Sequence, residues 1–175
     1  MKSKIILSLP LFSSLVWGSF SYAADNALTM QIDIPRMNVA EYHKPYVAVW
    51  LEDSSRKATQ VALWYDLDMQ DNEGKKWLKD IRQWWRRVGR KSALPFDGLT
   101  SATKGPGMHT LAIDLDAEHL ADLAAGDYQL RIEASREVGG KEVLNIPLSW
   151  PPTASEYPLE AKGKSELGHI IVQFK

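Results

Sequence analysis

From residue 28 the apolar positions fall at every second place: Leu28, Met30, Ile32 and Ile34, until Pro35 stops the run. Side chains on a strand alternate between two faces, so this spacing predicts a half-buried β-strand. The same alternation returns at Leu111, Ile113 and Leu115, at Tyr128, Leu130 and Ile132, at Leu144, Ile146 and Leu148, and at Ile170, Val172 and Phe174. "EVGGK" reverses the chain between the third and fourth of these stretches. Two other runs, "PYVAVWLED" and "ATQVALWYDL", are apolar at nearly every position and are joined by "SSRK". They predict a hairpin covered on both faces. The expected fold is an all-β, immunoglobulin-like antiparallel β-sandwich of about seven strands. "AAGDYQLRIE" adds the pattern of a corner tyrosine, with Gly126 two residues before Tyr128 at a strand start.

One segment follows a different period. Trp77, Leu78, Ile81, Trp84, Trp85 and Val88 lie at offsets that make one stripe of a helix, with lysines and arginines between them. This predicts one amphipathic crossover helix, capped by Asp71 or Asn72 and closed at Gly89. Its basic face is a candidate docking surface for an acidic partner. Residues 151–166 read as a long irregular connection.

The first residues change the picture of where the chain works. Lys2 and Lys4 precede a mostly apolar run over residues 5–17, and Ser21 and Ala23 stand at the −3 and −1 positions of a cleavage site. That is a signal-peptide pattern over residues 1–23, cut after Ala23. It leaves a single exported β-sandwich domain over 24–175, with no membrane span after cleavage. No cysteine occurs anywhere in the chain, so disulfides, thiolate chemistry and cysteine metal sites are excluded. The formal charge is −1, and −3 without Lys2 and Lys4, which argues against nucleic-acid binding.

The usual catalytic parts are missing from the sequence. His43, His109, His119 and His169 show no metal-ligand spacing, and there is no nucleophile elbow or Walker loop. No catalytic residue and no metal site are expected. What remains is "FDGLTSATKGPG", residues 96–107, with hydroxyls at Thr100, Ser101 and Thr103 among small neighbours. Gly98, Gly105 and Gly107 make such a stretch pliable, and Pro95 and Pro106 are expected to keep it out of a sheet ladder. A hydroxyl there suits modification by another enzyme's active site.

Residues 97–103 resemble the flavinylation signature recognised by bacterial FAD:protein FMN transferases. On that resemblance Asp97 is the leading acid, Gly98 the small residue, Thr100 the hydroxyl position, Ala102 the alanine and Thr103 the covalent FMN acceptor. Ser101 stands where the signature usually has glycine. More of the chain carries a wider resemblance: "PYVAVWLED", "VALWYDL", "WLKDIRQWWRR", "DGLTSATKGPGMHTLAIDLD", "GDYQLRIEASREVGG" and "SELGHIIVQF". Together they resemble a domain-of-unknown-function family of exported bacterial proteins, described as predicted periplasmic and often encoded near PepSY-domain membrane proteins and FMN transferases. The resemblance implies a redox carrier rather than an independent enzyme, with FMN as cofactor. A PepSY-type membrane redox protein and the transferase are its implied partners. Trp84, Trp85 and Arg86, some ten residues before the motif, are candidate flavin contacts, since flavin rings favour aromatic faces and arginine pairs with phosphate. The alternative is a non-catalytic periplasmic binding or accessory module without cofactor.

Overall fold

The computed structural model describes residues 26–175. The expected signal peptide and its cleavage after Ala23 lie outside the described residues.

The alternating runs become β1 (Ala27–Ile34), β5 (Gly107–Asp114), β6 (Gly126–Ser135), β7 (Lys141–Trp150) and β9 (His169–Phe174). The two fully apolar runs become β2 (Tyr46–Asp53) and β3 (Ala58–Trp64). Two short strands complete the set: β4 (Thr100–Ser101) and β8 (Leu159–Lys162). A four-stranded sheet runs β5-β1-β9-β8 and a five-stranded sheet runs β4-β3-β2-β6-β7. Every pairing is antiparallel except β3 with β4.

The order β3-β2-β6-β7 repeats the C′-C-F-G sheet of an immunoglobulin domain, and β5-β1 repeats its E-B pair. The last strand, β9, takes the place beside β1 that the first strand of such a domain holds. Tyr128 opens β6 at the matching corner, and its hydroxyl donates to the Ala124 carbonyl at 3.0 Å.

Between the sheets lies a continuous apolar core. Met30 and Ile32 of β1, Val49 of β2, Ile132 of β6 and Ile170 and Val172 of β9 are fully buried there. A second core lies on the outer face of the five-stranded sheet, where Ala48, Trp50, Leu63 and Tyr65 meet Leu78, Ile81 and Trp84. This cover explains why β2 and β3 are apolar on both faces.

The cover is not the single helix that the stripe predicts. It consists of α1 (Gly74–Trp77), a 3-10 turn at Leu78–Asp80, α2 (Arg82–Arg87) and a second 3-10 turn at Gly89–Lys91. The break falls at Ile81, whose ψ of 76° leaves the helical region. A tertiary contact compensates for it. The Glu133 carboxylate, from β6, accepts the backbone N–H groups of Gln83 (3.1 Å) and Trp84 (2.8 Å) at the start of α2. Burial pushes the Glu133 carboxyl above its ordinary range, and these N–H groups pull against that rise. Neither Asp71 nor Asn72 caps a helix; Glu73 precedes α1 without a side-chain cap. Gly89 does not close α2 in a left-handed turn either. A β-carbon there would lie 2.5 Å from the Trp84 ring, so glycine is needed for close approach.

Trp84 is pinned at its other end by Gln60. Its indole N–H donates to the Gln60 side-chain oxygen, while the Gln60 amide donates to the carbonyls of Val49 (3.3 Å) and Ala62. Gln60 sits beside a β-bulge, where the β2–β3 register slips between Val49 and Trp50. A polar residue buried in an apolar sheet therefore satisfies the bulge and the tryptophan together.

The remaining buried charges tie loops to strands. Arg136 and Glu166 form a two-pronged pair, Arg136 Nε donating at 3.0 Å, and Glu166 also accepts the Gly140 N–H at 2.8 Å. In "AKGKSELG" the N–H groups of Lys164, Ser165 and Leu167 all point to the Glu142 carboxylate. Burial works to raise the Glu142 pKa, but these hydrogen bonds outweigh it and hold the group below its ordinary value. Residues 151–166, expected to be irregular, include β8, which pairs with β9.

Gln60→Leu leaves the Trp84 N–H and two sheet carbonyls without partners, so it is expected to cost about 2–4 kcal/mol in urea unfolding. A loss below about 0.5 kcal/mol, within the range of an ordinary surface substitution, would show that the tryptophan is held by packing alone.

Candidate functional site: an edge loop beside an acidic cleft

The stretch at residues 96–107 leaves the helical cover and crosses from the edge of one sheet to the edge of the other. Phe96 is its inner anchor. Its ring meets Trp84 edge-on, with centroids 6.5 Å apart. The Phe96 N–H then donates to the Thr100 hydroxyl at 3.0 Å, closing a tight turn in which Gly98 takes a φ of 67°. Glycine tolerates that angle without strain. Asp97 is exposed on the turn.

The prolines do not keep the whole stretch out of the sheet. Leu63 N–H donates to the Leu99 carbonyl at 2.8 Å, and Tyr65 N–H donates to the Ser101 carbonyl at 3.1 Å. Thr100 and Ser101 thus form a parallel ladder with Leu63 and Trp64. The ladder ends there. Ala102 is exposed and Thr103 half-buried, and the Thr103 hydroxyl makes no hydrogen bond among the described residues. Beyond it, Lys104 lies over the Trp64 ring, Nζ 5.9 Å from the centroid. His109 of β5 holds the Gly105 carbonyl at 2.7 Å and meets Trp64 edge-on. His109 therefore anchors the loop, while His169 bonds Glu160 at 3.0 Å.

Ala102 and Thr103 form part of the wall of a cleft of about 360 Å³. That volume lies in the range of small-molecule sites. Tyr42, His43, Lys44 and Tyr46 reach it from the segment entering β2. Asp66, Asp68 and Met69 come from the end of β3, Trp77 and Asp80 from the helical cover, and Ser135 and Glu137 from the end of β6. Three aromatic side chains and four carboxylates thus line the same cleft as Thr103. Trp77 is 41% exposed, the most open tryptophan face near the loop.

Burial pushes the Tyr46 phenol up to about 12, with the Asp66 backbone N–H pulling the other way. Burial also raises the Tyr42 phenol, against the opposing charge of Arg136, whose guanidinium lies 5.9 Å over the ring. The buried Tyr42 hydroxyl finds no hydrogen-bond partner among the described residues. His43 lies between Glu41 (3.0 Å) and Glu137 (3.6 Å).

The tryptophans placed by sequence beside the motif do not line the cleft. Trp84 is 0% exposed and serves as the anchor beneath Phe96. Trp85 is half-buried against Trp84, centroids 6.3 Å apart. Arg86 points outward and is exposed. The aromatic groups that do line it, Trp77, Tyr42 and Tyr46, escape a sequence reading. Trp77 belongs to the same stripe as Trp84 and is freed only because the cover breaks at Ile81. The two tyrosines lie some sixty residues earlier in the chain.

A phosphate-linked flavin suits this arrangement in part. The Thr103 oxygen has no competing partner, Lys44 and His43 are cations or donors for a phosphate, and the three aromatic faces suit a ring system. The unpartnered Tyr42 hydroxyl is a polar atom that a ligand in the cleft can satisfy. The four carboxylates oppose additional negative charge.

Fold and site define a β-sandwich that carries a hydroxyl-bearing edge loop beside an open, acid-lined cleft. The family described as "Predicted periplasmic protein (DUF2271)" matches residues 27–169, so the chain belongs to it and the protein is periplasmic. No curated protein and no solved structure matches significantly. Among the described residues no helix is long and apolar enough to cross a membrane.

The two loop hydroxyls have different jobs, which stability measurements can separate. Thr100→Val removes the acceptor of the Phe96 N–H and is expected to cost about 1 kcal/mol or more, whereas Thr103→Val is expected to cost less than about 0.5 kcal/mol. Equal losses on thermal unfolding would contradict the assignment.

Proposed function

We infer that the protein is an exported flavin carrier, with FMN joined through its phosphate to the Thr103 hydroxyl. The observation that carries this reading is the position of Thr103: one residue beyond Ala102, outside the β4 ladder, half-exposed on the wall of an aromatic cleft. The resemblance of residues 97–103 to the flavinylation signature, with Ser101 where glycine is usual, supports giving the hydroxyl this chemistry. Asp97 and Gly98 lie on the exposed turn, and Thr100 and Ser101 hold the ladder that sets the loop's geometry.

A FAD:protein FMN transferase supplies the modification, and FAD is the donor. The Thr103 oxygen–phosphorus bond forms as the pyrophosphate bond of FAD breaks. AMP leaves, and the hydroxyl proton is released with it. The bound flavin would supply hydride or single-electron chemistry; the chain contributes position and electrostatics. In this reading Lys44 and His43, which line the cleft with Thr103, would meet the phosphate, and Trp77, Tyr42 and Tyr46 would border the ring. In this reading the protein is a redox carrier and not an independent catalyst. A PepSY-type membrane protein is its proposed electron-transfer partner, by the family resemblance. The rival reading, a periplasmic accessory module without cofactor, draws on Ser101 in place of the signature's glycine and on the four carboxylates of the cleft.

Intact-mass measurement on protein exported together with an FMN transferase and FAD decides between them. One flavin-phosphate adduct is expected, absent in Thr103→Ala and kept in Thr100→Ala and Ser101→Ala. A colourless protein of plain polypeptide mass would overturn the flavin reading.

A further inference from the structure

The helical cover presents two faces of opposite character. Leu78, Ile81 and Trp84 are wholly buried against the five-stranded sheet. Outward, the segment 75–91 holds eight of the chain's 21 lysines and arginines and one of its 22 carboxylates, Asp80. Some of these cations have partners: Lys76 pairs with Glu73 at 2.8 Å, Arg87 with Glu52 at 3.2 Å, and Lys75 donates to the Leu94 carbonyl at 3.0 Å. Lys79, Arg82, Arg86, Arg90 and Lys91 are all exposed and form no ion pair among the described residues.

Such a row is costly when unpartnered. Arg82 and Arg86 are four residues apart within α2, so they share one side of the helix and repel. Meanwhile the nearby carboxylates are committed elsewhere. Glu52 holds Arg87 and Arg131, Glu133 caps α2, and Asp80 lies 3.5 Å from Lys141. The chain as a whole is slightly acidic, so this concentration of cations is local.

We propose that the exposed cations of the cover, Arg82 and Arg86 on one side of α2 with Lys79 and Arg90 in the turns that flank it, form a docking surface for an acidic patch on a partner protein. Arginine favours that partner, because its planar fork binds carboxylates two bonds at a time. The lack of apolar side chains disfavours a lipid surface. Surface-bound helices set bulky apolar groups into the headgroup boundary beside their cations. Here the outward residues of α2 are Arg82, Gln83, Arg86 and Arg87, and the one large exposed apolar group on the cover, Trp77, faces the cleft. The surface is also pre-set, since Glu133, Glu52 and Gln60 hold the cover rigidly to the sheet. The cover itself reaches the cleft, since Trp77 and Asp80 line it with Thr103. The surface does not depend on the flavin reading, which only gives the docking a purpose.

The test measures binding of the purified mature protein, unmodified, to two probes at about 50 mM salt, where screening is mild: poly-L-glutamate and vesicles of phosphatidylglycerol. The quadruple variant K79Q/R82Q/R86Q/R90Q is compared with a control of equal charge change, R36Q/K57Q/K162Q/K175Q, and the double variant K79Q/R86Q guards against misfolding. Poly-L-glutamate binding is expected to fall about tenfold or more in the quadruple, by an intermediate factor in the double, and by less than about twofold in the control. Vesicle binding is expected to be negligible. Equal losses in quadruple and control would overturn the proposal by showing that net charge alone acts. Binding to neither probe would overturn it too, as would vesicle binding that depends on the row without poly-L-glutamate binding. Because no flavin is present, failure here leaves the adduct measurement untouched.

Discussion

One indole holds the outer half of this protein together. Trp84 donates to Gln60 at a bulge in the sheet, its backbone N–H is taken by Glu133, and its ring supports Phe96. A short helix of six residues cannot sustain itself in water. Here α2 persists because a buried carboxylate replaces its missing cap and a buried tryptophan supplies its packing. Truncating such a tryptophan typically costs about 3–5 kcal/mol. From Phe96 the chain has little freedom. The Thr100 hydroxyl closes the turn, Leu99 and Ser101 enter the ladder with β3, and Thr103 emerges one step beyond it.

Charge is sorted around that frame. Carboxylates gather in the cleft at Asp66, Asp68, Asp80 and Glu137, while exposed arginines gather on the outer side of the cover. An acid-lined cleft works against anionic ligands, so any phosphate brought there gains from being held covalently rather than by affinity. The basic row works in the opposite sense and attracts negative surfaces from a distance, most strongly at low salt. The cover contributes to both, through Trp77 and Asp80 in the cleft and through the exposed cations outside it.

Periodicity made the sandwich legible. A period of two located five of the nine strands, and the continuous apolar runs at 45–53 and 58–67 located two more and announced a second covered face. Tyr128 marked the corner from three residues of context, because its hydroxyl bond is local. The two short strands were hidden for a physical reason: β4 has two residues and β8 four, too few for a period to stand out, and both are stabilised by pairing with β3 and β9. The broken cover was hidden likewise. Its stripe fits one helix, yet the Glu133 cap that permits a break at Ile81 lies about fifty residues away. The same break explains the site. Trp77 and Trp84 occupy one stripe in sequence, but only the first is released to the cleft. The loop itself stood out from its small residues and hydroxyls, while the cleft's walls come from four separate parts of the chain and leave no local trace.

The position of Thr103 outside the ladder is the claim on which the functional account turns, and tandem mass spectrometry tests it most directly. Tryptic digestion of protein exported with the transferase releases the segment 92–104, which holds all three loop hydroxyls. The account predicts that fragmentation of this peptide places the flavin phosphate on Thr103 and leaves Thr100 and Ser101 bare. A phosphate found on Thr100 or Ser101, on another peptide, or nowhere would contradict it.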